Sequence, residues 1–101
     1  MRVMVFFDLP TDTSEERRAY RNFRKGLITK GFIMMQESVY TKIALTPAAS
    51  RSIIKYVKGI RPRHGLIQAL VVTEKQYGEM ELILGQLQSE IIDSEERLVI
   101  L

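Results

Sequence analysis

Asp8 is the first residue whose placement suggests chemistry. It ends an apolar and aromatic run within Arg2–Pro10, RVMVFFDLP. Spaced two apart, Val3, Val5 and Phe7 share one face of a strand, and Met4 and Phe6 the other. Both faces are apolar, which predicts a central strand covered on both sides. A carboxylate at the end of such a strand stands where sheets of α/β type commonly carry reactive groups. The same carboxylate also suits a turn, accepting backbone N–H groups beside Pro10. His64, the single histidine, lies in a basic turn, Arg61-Pro-Arg-His-Gly65. That setting suits a surface or phosphate contact better than a general base. The chain has no cysteine, which excludes disulfides and thiolate metal sites.

The basic residues form the other candidate constellation. Between Arg17 and Arg63 there are twelve Lys and Arg and one acid, Glu37. From Glu74 to Leu101 there are seven acids and two bases, Lys75 and Arg97. The net charge of +3 therefore hides a basic middle and an acidic tail. A basic middle is a candidate surface for a polyanion. The chain has 101 residues, enough for a single domain with a modest core. No apolar run is long enough to span a bilayer, and Asp8 interrupts any secretory signal pattern. No membrane partner is expected, and the expected compartment is the cytoplasm.

Five predicted elements must position these groups. Thr13-Ser-Glu-Glu16 fits a capping box, so a helix should run from Ser14 to Lys30 and close at Gly31. Tyr20, Phe23 and Leu27 make its buried stripe, with Ala19 and Ile28 beside it. Arg17, Arg21, Arg24 and Lys25 share its opposite face. Phe32–Gln36 and Ser38–Leu45 read as two strands joined by a tight hairpin or bulged turn at Glu37. Thr46 and Pro47 start a second helix, as N-cap and first helical residue. Its inner stripe is Ala49, Ile53, Val57 and Ile60; Arg51, Lys55 and Lys58 point outward. Leu66–Thr73, LIQALVVT, is a fourth strand. In the tail, Met80–Leu84 and Leu98–Leu101 read as two short strands around a loop. A single amphipathic helix over Glu79–Asp93 is the alternative.

The order β-α-β-β-α-β predicts an α+β, ferredoxin-like fold: four antiparallel strands with both helices on one face. The other face would be bare, exposing Met4, Phe6 and Tyr40 or their opposite-parity neighbours. An apolar face of that size predicts a partner, most simply a second copy packed through the sheet faces. Strands beyond the four need an edge to join, and the edge of that second copy is a natural one.

FFDLP, then ERRAYRNFRKGLITKGF, then MMQESVY and LIQALVVTEKQ, resemble in that order the small CRISPR-associated family that partners the CRISPR integrase. The resemblance runs over the whole chain, including the tail ending ERLVIL. It implies a ferredoxin-like homodimer over a single domain, residues 1–101. Residues 1–74 would be its core, and 75–101 a strand-exchange and docking segment. It implies two Asp8 residues facing each other near the dimer axis, and a dimer bridging two integrase dimers that insert a short duplex into the CRISPR array. It also implies a metal-dependent nuclease acting on single-stranded RNA or double-stranded DNA, with Asp8 as catalytic residue and metal ligand.

Magnesium binds near-octahedral oxygens and takes one or two carboxylates plus waters. Two Asp8 side chains across a two-fold axis could supply that pair, whereas one chain could not; Asp12 and Glu37 are poor supplements. Such a nuclease would rely on a hydrated magnesium ion at the dimer interface to activate water. A duplex-binding scaffold needs less: Lys and Arg spaced along phosphates. Arg17, Arg18, Arg21, Arg24 and Lys25 form one candidate set, and Arg51, Lys55, Lys58, Arg61 and Arg63 the other. An RNA-recognition domain on this fold would carry stacking aromatics in a Lys/Arg-Gly-Phe/Tyr strand, and SVYTKIAL has none. A free-standing ribonuclease would need no docking tail. Glu95, Glu96, Arg97, Leu98, Val99, Ile100 and Leu101 are expected to dock the integrase. The scaffold is the primary expectation, with metal-dependent cleavage attached to it.

Overall fold

The computed structural model describes residues 1–85. Its elements run β1 (Arg2–Asp8), α1 (Ser14–Lys30), β2 (Ile33–Gln36), β3 (Val39–Ile43), α2 (Pro47–Gly59), β4 (Leu66–Val72) and α3 (Glu74–Gly78). The four strands form one antiparallel sheet in the order β2-β3-β1-β4. The chain is thus of α+β class, and β1 lies inside the sheet, as its two apolar faces predict.

Local chemistry sets the element ends. The Thr13 hydroxyl accepts the Glu16 N–H at 3.0 Å, and the Glu16 carboxylate accepts the Thr13 and Asp12 N–H groups at 2.9 Å each. This capping box satisfies backbone donors that the first turn of α1 would leave bare. Gly31 ends the helix in the left-handed region at φ 103°, donating its N–H to Ile28. Thr46 caps α2 through the Ala49 N–H, with Pro47 at the first helical position. β2 and β3 join through a turn at Glu37–Ser38, and Ser38 takes φ 66°.

The pairing register puts Val3, Val5 and Phe7 of β1 on the same face as Tyr40 and Ile67. The helices pack there. Phe23 and Leu27 of α1 and Ile53 and Val57 of α2 share one core cluster with these strand residues. Phe7 sits at its centre, with ring centroids 5.1 Å from Phe23, 5.6 Å from Tyr40 and 5.9 Å from Tyr20. The contacts with Phe23 and Tyr20 are edge-on, and such pairs add roughly 0.5–1.5 kcal/mol each to the area they bury. The opposite face carries Met4 and Phe6, with Val39, Thr41 and Ile43 across from or beside them on β3 and Leu66 and Leu70 on β4. Met4, Val39 and Thr41 are buried; Ile33, Ile43, Leu66 and Leu70 are more than half exposed.

Four expectations need correction. Tyr40 does not join Met4 and Phe6 on the second face: it pairs with Val5, is 1% exposed and faces the helices. Thr73 does not extend β4 but caps α3, whose existence the sequence reading missed. Met80–Leu84 is not a strand, because it pairs with no strand among the described residues. Nor does the alternative helix begin at Glu79, since residues 79–85 are not helical. Leu98–Leu101 and the docking segment Glu95–Leu101 lie outside the described residues. No helix among the described residues is long and apolar enough to cross a membrane.

Candidate nucleic-acid interface

Asp8 is the last residue of β1 and is exposed. It stands opposite Leu66, the first residue of β4. The backbone there is held closely from the other side. A Cβ at Gly65 would lie 3.0 Å from the Asp8 carbonyl oxygen and 2.5 Å from Leu9 Cδ2. Gly65 itself takes φ 113°, a conformation that side chains disfavour. The end of β1 and the loop entering β4 therefore approach as only glycine permits, and this fixes where Asp8 emerges.

Among the described residues there is no group of three or more His, Cys, Asp or Glu able to hold a metal. Asp12 is in the turn before α1, and Glu37 lies in the β2–β3 turn. Among the described residues of one copy, Asp8 alone would leave most of a magnesium ion's six positions to water, whereas two copies could offer it a pair of carboxylates.

The cations are better placed. Arg18, Arg21, Arg24 and Lys25 of α1 are exposed, as are Arg51, Lys55 and Lys58 of α2. The three on α2 are spaced by four and three residues, so they lie along one helix face. The ion pair found among the described residues is Arg2–Glu74, which leaves these seven cations without acidic partners there. Two members of the predicted set are partly committed elsewhere. Arg17 donates to the Thr11 and Asp12 carbonyls at 3.1 Å each, bracing the turn after β1. Arg61 donates to the Lys58 carbonyl at 2.7 Å, closing the end of α2.

The two helices are tied together away from these cations. The Tyr56 hydroxyl donates to the Gly26 carbonyl at 3.0 Å, and a Cβ at Gly26 would meet Ile60 Cδ1 at 2.8 Å. Lys30, which the sequence reading did not single out, lies 4.9 Å from the centre of the Tyr56 ring. It is thereby held at the junction, with its charge over an aromatic face. Its position at the last residue of α1 was legible, but its contact with a residue twenty-six positions later was not.

Arg63 and His64 do not extend along a helix. They line a cavity of about 380 Å³ between the turn after β1 and the loop before β4. Its other walls include Leu9, Pro10 and Tyr20. No motif marks this cavity in the sequence, since its walls come from three separate stretches.

Four similarities to known proteins bear on these features. A protein of Treponema denticola bearing the name CRISPR-associated endoribonuclease Cas2 is 50% identical over 101 residues, covering all of both chains. A protein of the same name from Ligilactobacillus salivarius is 46% identical, again over the whole of both. The crystal structure of Streptococcus pyogenes Cas2 superposes with a TM-score of 0.62 at 26% identity, covering 84% of this chain and all of that one. The family model described as CRISPR associated protein Cas2 matches residues 1–80. A strand ending in Asp8, a basic helix closed at Gly31 and whole-length relatives at this identity lead to one assignment: the chain belongs to the CRISPR-associated Cas2 family.

Proposed function

We propose that two copies of this chain form the DNA-holding centre of a spacer-integration complex and bridge dimers of the CRISPR integrase. The observation carrying this reading is the row of exposed cations on α1 and α2 that pair with no acid among the described residues. Lys and Arg in that state are what binding to phosphates without sequence preference requires. Pairing two copies would double the row into a track. The exposed Ile33, Ile43, Leu66 and Leu70 on the sheet face away from the core supply apolar surface for that pairing. The tail from Glu95 to Leu101 would meet the integrase.

A second reading is metal-dependent endonuclease action on single-stranded RNA or double-stranded DNA. It is favoured by the name that the Treponema denticola and Ligilactobacillus salivarius relatives carry. In this reading the dimer brings together two Asp8 carboxylates, since the described residues of one chain form no group of three or more ligands. The chain's own part is to hold each carboxylate at a strand end fixed by Gly65.

Light scattering on the purified chain, alone and with the integrase of the same locus, tests the first reading. The expected species is a dimer that bridges two integrase dimers, tightened by a short duplex and loosened by salt. A dimer that ignores the integrase yet cuts RNA with magnesium would overturn it. Asp8→Ala separates the two roles. It is expected to abolish magnesium-dependent cleavage and leave spacer acquisition intact; loss of acquisition in a correctly assembled complex would sink the scaffold reading.

A further inference from the structure

The cavity beside Asp8 has the size and the chemistry of a seat for one nucleotide. We propose that it binds a single unpaired nucleotide of a nucleic-acid strand, base inward and phosphate toward Arg63. This inference rests on the nucleic-acid reading above and assigns the cavity a ligand class. At about 380 Å³ it lies at the small end of ligand pockets. That is room for one nucleotide and far too little for a duplex. Its apolar walls include Pro10, Tyr20 and Pro62. Such ring-shaped surfaces accept the flat face of any base, as stacking platforms for single strands do.

The polar lining is divided in the way a nucleotide is divided. Arg63 and His64 come from the loop before β4 and offer donors. Glu15 and Glu16 come from the first turn of α1 and offer acceptors. Glu16 is already committed to the Asp12 and Thr13 N–H groups, so Glu15 is the acceptor left for a ligand. A nucleotide presents a phosphate to the first pair and, on most bases, an amino edge to the second. An acidic peptide would suit Arg63 but meet two carboxylates, and a purely apolar segment would leave Arg63, His64 and Glu15 without a partner in the ligand.

The walls are held before any ligand arrives. Gly65 pins the basic loop against Asp8 and Leu9, and Phe7 packs against the Tyr20 ring at 5.9 Å. A rigid seat loses little freedom on binding. Leu9, which lines the cavity, is buried in the core and fixes the floor of the seat.

The test compares fluorescence anisotropy of labelled oligo(dC), oligo(dT) and a blunt duplex on the full chain and three variants. Ala19→Gln puts bulk into the cavity from the half-buried side of α1, and Glu15→Ala removes the acceptor. Lys55→Gln, far from the cavity in sequence and on α2, reports on the phosphate track. The wild type should favour oligo(dC) over oligo(dT) by about fivefold or more, since cytosine offers an amino donor where thymine offers a carbonyl. Glu15→Ala should erase that preference, and Ala19→Gln should weaken both single strands about tenfold while leaving the duplex unchanged. Lys55→Gln should weaken the duplex and keep the preference. Equal losses on single strands and duplex in Ala19→Gln, or no base preference in the wild type, would overturn the seat while the phosphate track stands. A change in oligomeric state with Ala19→Gln would also overturn it, marking the cavity as a contact between copies. Loss of all binding to every probe in the wild type would remove the nucleic-acid reading itself.

Discussion

Gly65 is the residue on which the candidate site depends most. Its φ of 113° is in the left-handed region, where a side chain costs roughly 1–2 kcal/mol. The added Cβ would also meet backbone, 3.0 Å from the Asp8 oxygen and 3.2 Å from Leu9 Cα, and backbone cannot swing aside as a side-chain end can. Gly65→Ala should therefore lower the stability of the chain by about 2–4 kcal/mol, read as a shift of the urea midpoint at unchanged slope. Gly26→Ala is the contrast. There the crowded atom is Ile60 Cδ1, the end of a flexible side chain, and alanine is the better helix former by about 1 kcal/mol. A loss comparable to that of Gly65→Ala would show that Ile60 has no room to move. The sequence marked Gly65 only as the last residue of a basic turn. Its need for glycine comes from contact with residues more than fifty positions earlier, which no local pattern carries. Asp8 was legible for the opposite reason: the run that places it is unbroken, and the change from apolar to acidic happens within one step.

At the scale of elements, α1 was legible from end to end because its signals are contiguous. Thr13 and Glu16 answer each other across three residues, and Gly31 follows the last turn. Thr13→Ala should cost about 1 kcal/mol in thermal unfolding and fray the first turn, which amide exchange of residues 15–17 would reveal. The same capping box recurs at α3, where the Thr73 hydroxyl accepts the Gln76 N–H and Gln76 answers the Thr73 N–H. It passed unread because LIQALVVT continues the strand pattern through Thr73. What holds α3 is also remote: Arg2 donates to both Glu74 oxygens, at 2.7 and 3.1 Å, and lies 4.0 Å from the centre of the Tyr77 ring. The hydrogen bond with Arg2 holds the Glu74 carboxyl below its ordinary value of 4.5. A carboxyl depressed in the folded state stabilises above its unfolded value and loses that contribution as pH falls through the folded one. Acidification below that ordinary value should therefore release α3, seen as sharper Tyr77 ring resonances, before the core unfolds. Salt should weaken the same contact, since Glu74 is exposed. In Glu74→Gln the pH step should vanish; if the step persists, another group drives it. Met80–Leu84 was misread because apolar composition alone cannot make a strand. Ile83 and Leu84 are about nine-tenths exposed and pair with neither edge of the described sheet.

For the whole molecule, the charge asymmetry read from the sequence maps onto two helices whose exposed cations meet no acid among the described residues. Which of the ten predicted cations are available was not legible, because the commitments of Arg17 and Arg61 are to backbone carbonyls whose position depends on the folded turns. That difference can be measured. If duplex binding is carried by phosphate contacts, the logarithm of the binding constant falls linearly with the logarithm of salt, by about 0.9 for each contact made. Replacing Arg21, Arg24, Lys55 and Lys58 together by Gln should flatten that slope by an amount that counts how many of the four touch phosphate in each copy. Replacing Arg17 and Arg61 should leave the slope nearly unchanged and lower thermal stability instead, because their nitrogens brace the turn after β1 and the end of α2. An equal slope change per residue replaced in both sets would mean that the basic middle acts only through its total charge. A change confined to the helix-face set would mean that the fold selects its contacts, keeping some arginines for its own turns and presenting the others to the nucleic acid.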